Sequence, residues 1–350
     1  MKKISLYFSH GHQAHYEPGH PERPERLEVI KAAFQDCGIW DSCQKIEPLQ
    51  LPYELLTSVH TPTYLDQLEN SCAHLARLDM DTYTTAASWQ LALNAAGGAV
   101  AAAETVWTGK SDRALALTRP PGHHASPGRG MGFCLLNNIA IAAQQLLHPV
   151  NLNFQPARRL AIVDLDLHHG NGTQEMFLRR PDVFYFSTHQ SPLYPGSGYV
   201  DEIGEGEGEG FTANFPLPPG TGDTGFNTVM DELILPLLDD YVPEMVLVSV
   251  GFDPHWRDPL GSLQLSAGGY YQLIEKLTLW CDRNCQGKIA LFLEGGYDLQ
   301  AGEACALSWW DALAGVPFSD SLGQSPQPER SQWNIVVRAA HQVWDRRRHS

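Results

Sequence analysis

Short apolar runs recur along the whole chain, and stretches with helical patterns separate them. These stretches are amphipathic or rich in alanine and leucine, as in Ser88–Val106, Asn137–Leu147 and Gly268–Cys281. Strands that alternate with helices are typical of a parallel sheet covered on both faces. We therefore predict an α/β fold with a central parallel β-sheet flanked by helices. The predicted strands are Ile4–Phe8, Ala114–Leu117, Leu160–Leu165, Val183–Phe186, Met245–Val250 and Ile289–Leu293.

The 350 residues contain no linker rich in proline, glycine or serine and no break in composition. A hydrophobic content of 43% is enough for one large core. We predict a single domain over residues 1–350, with a core over about 4–318 and a C-terminal extension over about 319–350.

The formal net charge is −16, from 24 basic and 40 acidic residues. Non-specific nucleic-acid binding requires lysine and arginine to neutralise phosphates, so this balance argues against it. No apolar run approaches the roughly 18 residues that would suggest a membrane-spanning helix. The seven cysteines form no C-x-x-C pair, which favours reduced thiols. We expect a cytoplasmic protein that binds neither nucleic acid nor membrane.

Polar or glycine-rich residues follow each predicted strand at once. In open parallel sheets, ligands bind beyond the carboxyl ends of the strands. Because six such loops would meet at one edge of the sheet, we predict a functional site there. The loops read SHGHQAH, TRPPGHHASPGRG, DLHHGNG, STHQ, GFDPHWRDPLG and EGGYDL.

The stretch AIVDLDLHHGNGTQ alternates acidic and apolar residues before a pair of histidines. Residues two apart on a strand point the same way, so Asp164, Asp166 and His168 are predicted to share one side, with Leu165 and Leu167 packed on the other. Carboxylate oxygen and imidazole nitrogen are ligands for Zn²⁺ or a similar divalent ion. Two buried carboxylates side by side would be costly without a cation.

A catalytic zinc usually keeps three protein ligands and leaves one position for water and substrate. Asp166 and His168 would provide two of them. Asp253 directly follows an apolar strand and is the best candidate for the third. Asp258 is the competing choice, although it lies farther into the loop and could instead pin that loop.

The pair His123-His124 lies between glycines after another strand and could serve as a general base and its partner. Each histidine needs an acceptor that orients its second nitrogen, and Asp164 and Asn171 could fill those roles. Two glycines precede Tyr297, whose hydroxyl could donate to a developing oxyanion.

Four ordered blocks resemble the zinc-dependent histone deacetylase superfamily. They read RPPGHHA…GFCLLNNIAIAA, VDLDLHHGNGTQ, SVGFDPHWRDPLG and LEGGYDL, and the resemblance runs from about residue 20 to beyond Tyr297. Asn171 in HHGNGTQ is more similar to the class II branch than to class I. The resemblance implies one α/β domain of arginase/deacetylase-like architecture.

Carried over by position, the resemblance places zinc on Asp166, His168 and Asp253. It makes His124 the general base and His123 an electrostatic partner or proton donor. Asp164 and Asn171 then orient this pair, and Tyr297 polarises the carbonyl. The metal could also be Fe²⁺ or Co²⁺, because these ligands accept them too.

The resemblance also implies a tunnel for the acyl-lysine chain and two potassium sites. The tunnel is walled by Phe133 and Tyr194 and lined by Gly132. Near its rim, Asp81 is expected to grip the substrate backbone, with Asp79 as the alternative. One K⁺ would use Asp164, Ser187, Thr188 and the backbones of Asp166 and His168. The other would use backbone carbonyls around Phe177, Arg180, Val183 and Phe211.

Polyamine-selective members of this superfamily carry a glutamate seven residues after the third zinc ligand, where this chain has Leu260. An apolar residue cannot pair with a cationic polyamine, so the resemblance implies a hydrolase that removes acetyl or other acyl groups from lysine in proteins or peptides. Two alternatives are an amidohydrolase of acetylpolyamines or other small acylated amines, and a zinc-containing acyl-lysine reader with little turnover. Tyr297 argues against the reader, because branches of the family that are inactive on acetyl-lysine place another residue there.

Overall fold

Eight parallel strands form one sheet in this computed structural model, which describes residues 2–150 and 153–348. The strand order is β2-β1-β3-β8-β7-β4-β5-β6. Every neighbouring pair is parallel. The strands are β1 (Ile4–Phe8), β2 (Gln44–Ile46), β3 (Arg113–Leu117), β4 (Leu160–Asp164), β5 (Val183–Gln190), β6 (Thr212–Leu217), β7 (Met245–Val250) and β8 (Ile289–Leu293).

Helices cover both faces of this sheet, which confirms the predicted α/β class. A π-helical turn, Met230–Ile234, joins α8 to α9. The helices are α1 (Glu25–Asp36), α2 (Ile39–Ser42), α3 (Tyr53–Thr57), α4 (Pro62–His74), α5 (Ser88–Trp107), α6 (Asn138–Leu147), α7 (Asn171–Phe177), α8 (Asp223–Val229), α9 (Leu235–Tyr241), α10 (Ala267–Asn284), α11 (Leu299–Ala314) and α12 (Trp333–Arg348).

Alternation along the strands creates two hydrophobic cores, one on each face of the sheet. On β3, Leu115 and Leu117 pack into the core shared with α1, α10 and α11, whereas Ala114 and Ala116 pack into the core shared with α5 and α6. This is the period of two that strand geometry imposes. A sheet buried on both faces explains why its strands are continuous apolar runs.

The six predicted strands are all present, and two further strands were missed. β2 is a three-residue edge strand whose side chains are largely exposed, so it has no apolar run. β6 lies at the opposite edge and contains Pro216, which cannot donate to the ladder and is tolerated at an edge. Leu160–Leu165 also proved one residue too long, because β4 ends at Asp164.

The described part of α12 packs against the same core as the strands, through Val337, Ala340 and Trp344. The boundary near residue 318 between the core and the C-terminal extension stays a prediction. No disulfide links the seven cysteines, all of which lie within the described residues. Within the same residues, every helix is too short or too polar to span a bilayer.

Candidate active site

The carboxyl ends of β3, β8, β7 and β4 are adjacent, because these strands are neighbours in the sheet. The loops that follow them surround a cavity of about 380 Å³. Most of the residues predicted for the site line it. The lining residues are His20, Pro21, Asp81, Pro121, His123, His124, Gly132, Phe133, Cys134, Asp166, His168, Tyr194, Leu260, Gly295 and Tyr297.

Asp166, His168 and Asp253 meet at the floor of this cavity, with one ligand atom from each within 4.8 Å of the others. Nδ1 of His168 lies 3.2 Å from Oδ1 of Asp166 and 3.3 Å from Oδ2 of Asp253. The alternation predicted that Asp166 and His168 lie on the strand, but β4 ends at Asp164 and both residues lie in the loop beyond it. They still converge because the His168 backbone N–H donates to Asp166 at 2.8 Å, while Leu165 and Leu167 are buried in the core.

Two glycines allow the carboxylates to approach the backbone so closely. A Cβ atom on Gly251 would lie 2.0 Å from Oδ2 of Asp166, and one on Gly295 would lie 2.3 Å from Oδ2 of Asp253. The Gly295 N–H also donates to Oδ2 of Asp166 at 2.9 Å. Any larger residue at either position would displace a carboxylate from the cluster.

The cluster has the chemistry of a divalent-metal site. Oδ2 of Asp253 is buried and has no hydrogen-bond partner among the described residues. Burial and the neighbouring Asp166 carboxylate raise the pKa of Asp253 to about 6. A buried acceptor without a donor, beside a second carboxylate, is costly unless a cation binds there. The residues present therefore fit a metal ion held by two carboxylates and one imidazole.

Asp258, the competing ligand candidate, is engaged elsewhere. Its carboxylate accepts hydrogen bonds from the backbone N–H groups of Leu260 at 3.0 Å, Tyr297 at 2.6 Å and Asp298 at 3.2 Å. Asp258 therefore helps to pin the Tyr297 loop and lies outside the metal group found among the described residues.

His123 and His124 lie side by side at the cavity wall, with ring centroids 4.1 Å apart and ring planes tilted by 41°. Nδ1 of His123 lies 3.1 Å from Oδ2 of Asp164, and Nδ1 of His124 lies 2.8 Å from Oδ1 of Asn171. An amide oxygen only accepts, so His124 carries its proton on Nδ1 and keeps Nε2 as the basic nitrogen. The structure thus pairs each histidine with the acceptor that the sequence suggested.

The two histidines differ in charge because their neighbours differ. Burial lowers the pKa of His123, but Asp166 and Asp164 outweigh burial and raise it to about 10. Burial also lowers the pKa of His124, and the adjacent His123 lowers it further, well below its usual value. His124 is therefore neutral at pH 7, while His123 tends to be protonated.

Glu294 is a buried residue of this site that the sequence analysis missed. Its carboxylate accepts from the backbone N–H groups of Gly122 at 2.7 Å and His123 at 3.1 Å, and from Ser249 Oγ at 2.9 Å. It therefore fixes the histidine loop to β7 and β8. A charged residue directly after the apolar run IALFL was the available signal.

Glu294 also belongs to a second group of three possible ligands, together with His123 and Cys134. Both carboxylate oxygens of Glu294 already accept hydrogen bonds. Burial raises the pKa of the Cys134 thiol well above its usual value, which opposes the thiolate that a metal needs. This group is a poor metal site.

Tyr297 lines the cavity from the segment that follows β8. Its ring contacts Phe133 edge-on at 5.8 Å and lies 5.1 Å from the Arg26 guanidinium. Burial raises the pKa of Tyr297 well above its usual value, and the Asp253 carboxylate adds to this. Its hydroxyl therefore remains protonated and can donate a hydrogen bond.

Phe133 and Tyr194, which were predicted as the aromatic walls of a tunnel, both line the cavity. Phe133 has a φ of 68°, which is unusual for an aromatic residue, and its N–H donates to Thr82 Oγ1 at 3.1 Å. The Tyr194 ring lies 5.2 Å from His124, and a Cβ on Gly132 would lie 3.0 Å from Tyr194 Cε1. A side chain at position 132 would therefore crowd the rings of His124 and Tyr194.

Asp81 and Leu260 lie at the rim of the cavity. Asp79, the alternative to Asp81, does not line it, and its Oδ1 accepts from the backbone N–H groups of Asp81 and Thr82. Asp79 thus shapes the loop that presents Asp81. Leu260 is 37% exposed, so an incoming substrate would meet its apolar side chain.

The residues proposed for potassium occupy two regions. Ser187 and Thr188 lie on β5 beside Asp164, and Thr188 Oγ1 is 3.4 Å from the Asp164 carbonyl oxygen. The second group lies around the amino end of β5, where the Phe177 carbonyl accepts from Arg180 N and the Phe211 carbonyl accepts from Tyr185 N. Val183 is the first residue of that strand. Both potassium sites stay predictions.

Comparison with known proteins agrees with this geometry. Residues 20–313 match the family model described as the histone deacetylase domain. The chain is 40% identical to a probable deacetylase of Archaeoglobus fulgidus, covering 95% of this chain and 92% of that one. It is 35% identical to a histone deacetylase-like amidohydrolase of Pseudomonas aeruginosa, covering 85% and 78%. The crystal structure of the HDA15 HD domain superposes with a TM-score of 0.87 at 32% identity, covering 98% and 94%.

Proposed function

The chain belongs to the histone deacetylase family and is a hydrolytic deacetylase, and on this premise we propose that it removes acetyl or other acyl groups from the ε-amine of lysine in proteins or peptides. The observation that carries the proposal is the cavity of about 380 Å³ that Phe133 and Tyr194 line together with Asp166 and His168, beside which Asp253 completes the metal group. An unbranched alkyl chain fits between aromatic walls, and an amide at its end would reach the floor.

We assign one Zn²⁺ per chain to Asp166, His168 and Asp253. The orphaned Oδ2 of Asp253 supports this assignment, and Fe²⁺ or Co²⁺ would suit the same ligands. A zinc ion held there would polarise the acyl carbonyl and lower the pKa of a water molecule. A potassium ion near Asp164, Ser187 and Thr188, and a second near the amino end of β5, remain part of the proposal.

His124 is the proposed general base. Its Nδ1 is committed to Asn171, so Nε2 accepts the proton of the attacking water. Its lowered pKa keeps this nitrogen unprotonated before the reaction. Asp164 accepts from Nδ1 of His123 and favours its protonated form, which would stabilise the developing negative charge, and a protonated histidine would then donate to the departing amine.

Tyr297 is the proposed donor to the oxyanion. Its raised pKa keeps the hydroxyl protonated through the reaction. Asp258 holds the Tyr297 backbone at 2.6 Å, so the ring is positioned before substrate binds. A donor that is fixed in advance stabilises the transition state without reorganisation. The products are a carboxylate, acetate for an acetyl group, and a free amine.

Leu260 supports acyl-lysine over acetylpolyamine as the substrate. An exposed leucine at the rim offers no charge to a second ammonium group. Asp81 would instead accept hydrogen bonds from the N–H groups of a peptide backbone. The amidohydrolase name of the Pseudomonas aeruginosa relative keeps a small acylated amine as the second candidate. The cytoplasmic location stays a prediction from the sequence.

Acetate release from an acetyl-lysine peptide tests the proposal. We expect turnover with zinc-replete protein, loss of turnover after chelation, and recovery when zinc is returned. As a control, a chelated and restored sample should show unchanged secondary structure by circular dichroism. Turnover that persists in fully metal-free protein would contradict the proposed metal dependence.

A further inference from the structure

His169 directly follows His168 but takes no part in the metal group. It is buried, and its ring contacts the loop of residues 191–202, which carries Tyr194. Nδ1 of His169 lies 2.8 Å from Ser197 Oγ, and Nε2 lies 2.9 Å from Gln174 Oε1. The proposed reaction gives this buried histidine no role, although both of its ring nitrogens have polar partners.

The direction of these hydrogen bonds follows from Glu202. Oε2 of Glu202 lies 2.6 Å from Nε2 of Gln174, and a carboxylate only accepts. The amide oxygen of Gln174 therefore faces His169 and accepts from His169 Nε2, as it does from Asn214 Nδ2 at 2.7 Å. With its proton on Nε2, His169 accepts from the Ser197 hydroxyl at Nδ1.

Glu202 also holds the backbone of this loop. Its carboxylate accepts from the N–H groups of Gly198 at 3.2 Å and Tyr199 at 3.0 Å. On the other side, Nε2 of His189 donates to the Gly198 carbonyl at 3.1 Å. A Cβ atom on Gly198 would lie 2.7 Å from the His169 ring and 2.6 Å from the His189 ring. The turn at 197–199 is thus fixed by both its polar groups and its packing.

Tyr194 depends on this turn for its position. The residue is 42% exposed, and its ring contacts His124 and His168 across the cavity mouth. Only three residues separate it from Gly198. A shift of the turn would therefore move the wall that encloses a substrate side chain, while the metal ligands would stay in place.

We propose that His169, Gln174 and Glu202 form a loop clamp that positions Tyr194 and thereby sets the affinity for the acyl-lysine side chain. The clamp residues are positioning residues, because they act through Tyr194 and none of them lines the cavity. The expected effect on the affinity for acyl-lysine rests on the proposed function. The expected effect of the clamp on the conformation of the loop of residues 191–202 does not.

Glu202→Gln tests the clamp, because an amide replaces the carboxylate that accepts from three N–H donors. Losing these charge-assisted bonds should raise KM for an acetyl-lysine peptide by roughly five- to tenfold and change kcat by less than about twofold. Amide hydrogen exchange at Gly198 and Tyr199 should become faster by about tenfold or more. Glu207→Gln removes the same charge from an exposed residue five positions further along the chain, and it should leave KM and both exchange rates unchanged.

Glu202→Gln is also made in a Tyr194→Ala variant. This double variant shows whether Glu202 acts by positioning Tyr194 or by a general loss of structure. If Glu202 acts through Tyr194, Glu202→Gln should have no further effect on KM in that background. An equal rise in KM in both backgrounds, or a fall in kcat at constant KM, would overturn the proposal.

Amide hydrogen exchange distinguishes failure of the loop-clamp proposal from failure of the proposed function. If the wild-type protein hydrolyses no acyl-lysine peptide, the proposed function fails, and the exchange rates still judge the clamp. Unchanged exchange at Gly198 and Tyr199 in Glu202→Gln would overturn it whatever the substrate.

Discussion

Nδ1 of His168 and Oδ2 of Asp253 lie 3.3 Å apart, yet Oδ2 has no hydrogen-bond partner among the described residues. The close approach of His168 favours the charged form of Asp253, but no N–H group of the described residues is aligned on Oδ2, and both residues belong to the group that could hold a metal ion. The adjoining carboxylate of Asp166 raises the cost of leaving that position without positive charge.

Asp253→Asn should weaken metal binding by at least about tenfold, because a carboxylate ligand becomes a neutral amide. The measurement is metal content per chain by atomic emission after gel filtration. Asp258→Asn is the matched control, since Asp258 pins the Tyr297 loop, and it should retain metal. Full metal content in Asp253→Asn together with loss in Asp258→Asn would reverse the assignment.

Tyr297→Phe should reduce kcat for an acetyl-lysine peptide by at least about tenfold, because one oxyanion donor is lost. Metal content and thermal stability should stay as in the wild type. Tyr271→Phe removes a hydroxyl that bonds Glu275 on α10 and serves as the control. Equal kcat in Tyr297→Phe and the wild type would remove this residue from the mechanism.

Acid should destabilise the fold through His60, which is buried and hydrogen-bonded to the Ser126 carbonyl and the Asn137 N–H. Burial lowers its pKa to about 4. Between pH 6.5 and 4 the unfolded chain therefore binds the extra proton, so the free energy of unfolding falls as pH falls. The contribution of His60 is up to about 3 kcal/mol.

Denaturant unfolding of His60→Gln checks this pH dependence. The variant should be less stable at pH 7 and should lose less stability than the wild type between pH 6.5 and 4. His74→Gln, an exposed change on α4, should keep the wild-type slope. Identical slopes in His60→Gln and the wild type would show that His60 does not carry the effect.

Leu260→Glu should shift the substrate preference toward acetylpolyamines, because a carboxylate at the rim can pair with a second ammonium group. We expect the ratio of kcat/KM for acetylspermidine over an acetyl-lysine peptide to rise by about tenfold or more. Leu279→Glu, at an exposed position on α10, is the control for added charge. The same ratio in both variants would mean that residue 260 does not contact the substrate.

Much of the fold could be predicted because strands buried on both faces must be apolar along their whole length. Exposed β2 and proline-containing β6 carry no such signal, so the edges of the sheet were missed. The metal group and the histidine pairs were predictable because Asp166, His168 and Asp253 follow strands directly. Glu294 was recognisable as a charged residue after an apolar run, but its partners and those of Asp258 lie in loops far apart in sequence, and no local pattern shows which backbone groups they hold.

His169 illustrates the same limit at closer range. In the sequence it is indistinguishable from His168, yet one ring belongs to the metal group and the other points to Ser197 and Gln174. The difference arises because the chain leaves β4 at Asp164 and turns before α7. In a turn, packing decides which way each side chain points. The period of two that holds along a strand does not continue into the turn.

The central claim is that this deacetylase acts on acyl-lysine in proteins or peptides. The most direct measurement is a parallel determination of kcat/KM for an acetyl-lysine peptide and for acetylspermidine with the same zinc-replete enzyme. Our account predicts the higher value for the peptide, because Leu260 offers no charge to a polyamine and Asp81 lies at the rim where a peptide backbone would pass. A higher value for acetylspermidine would contradict it.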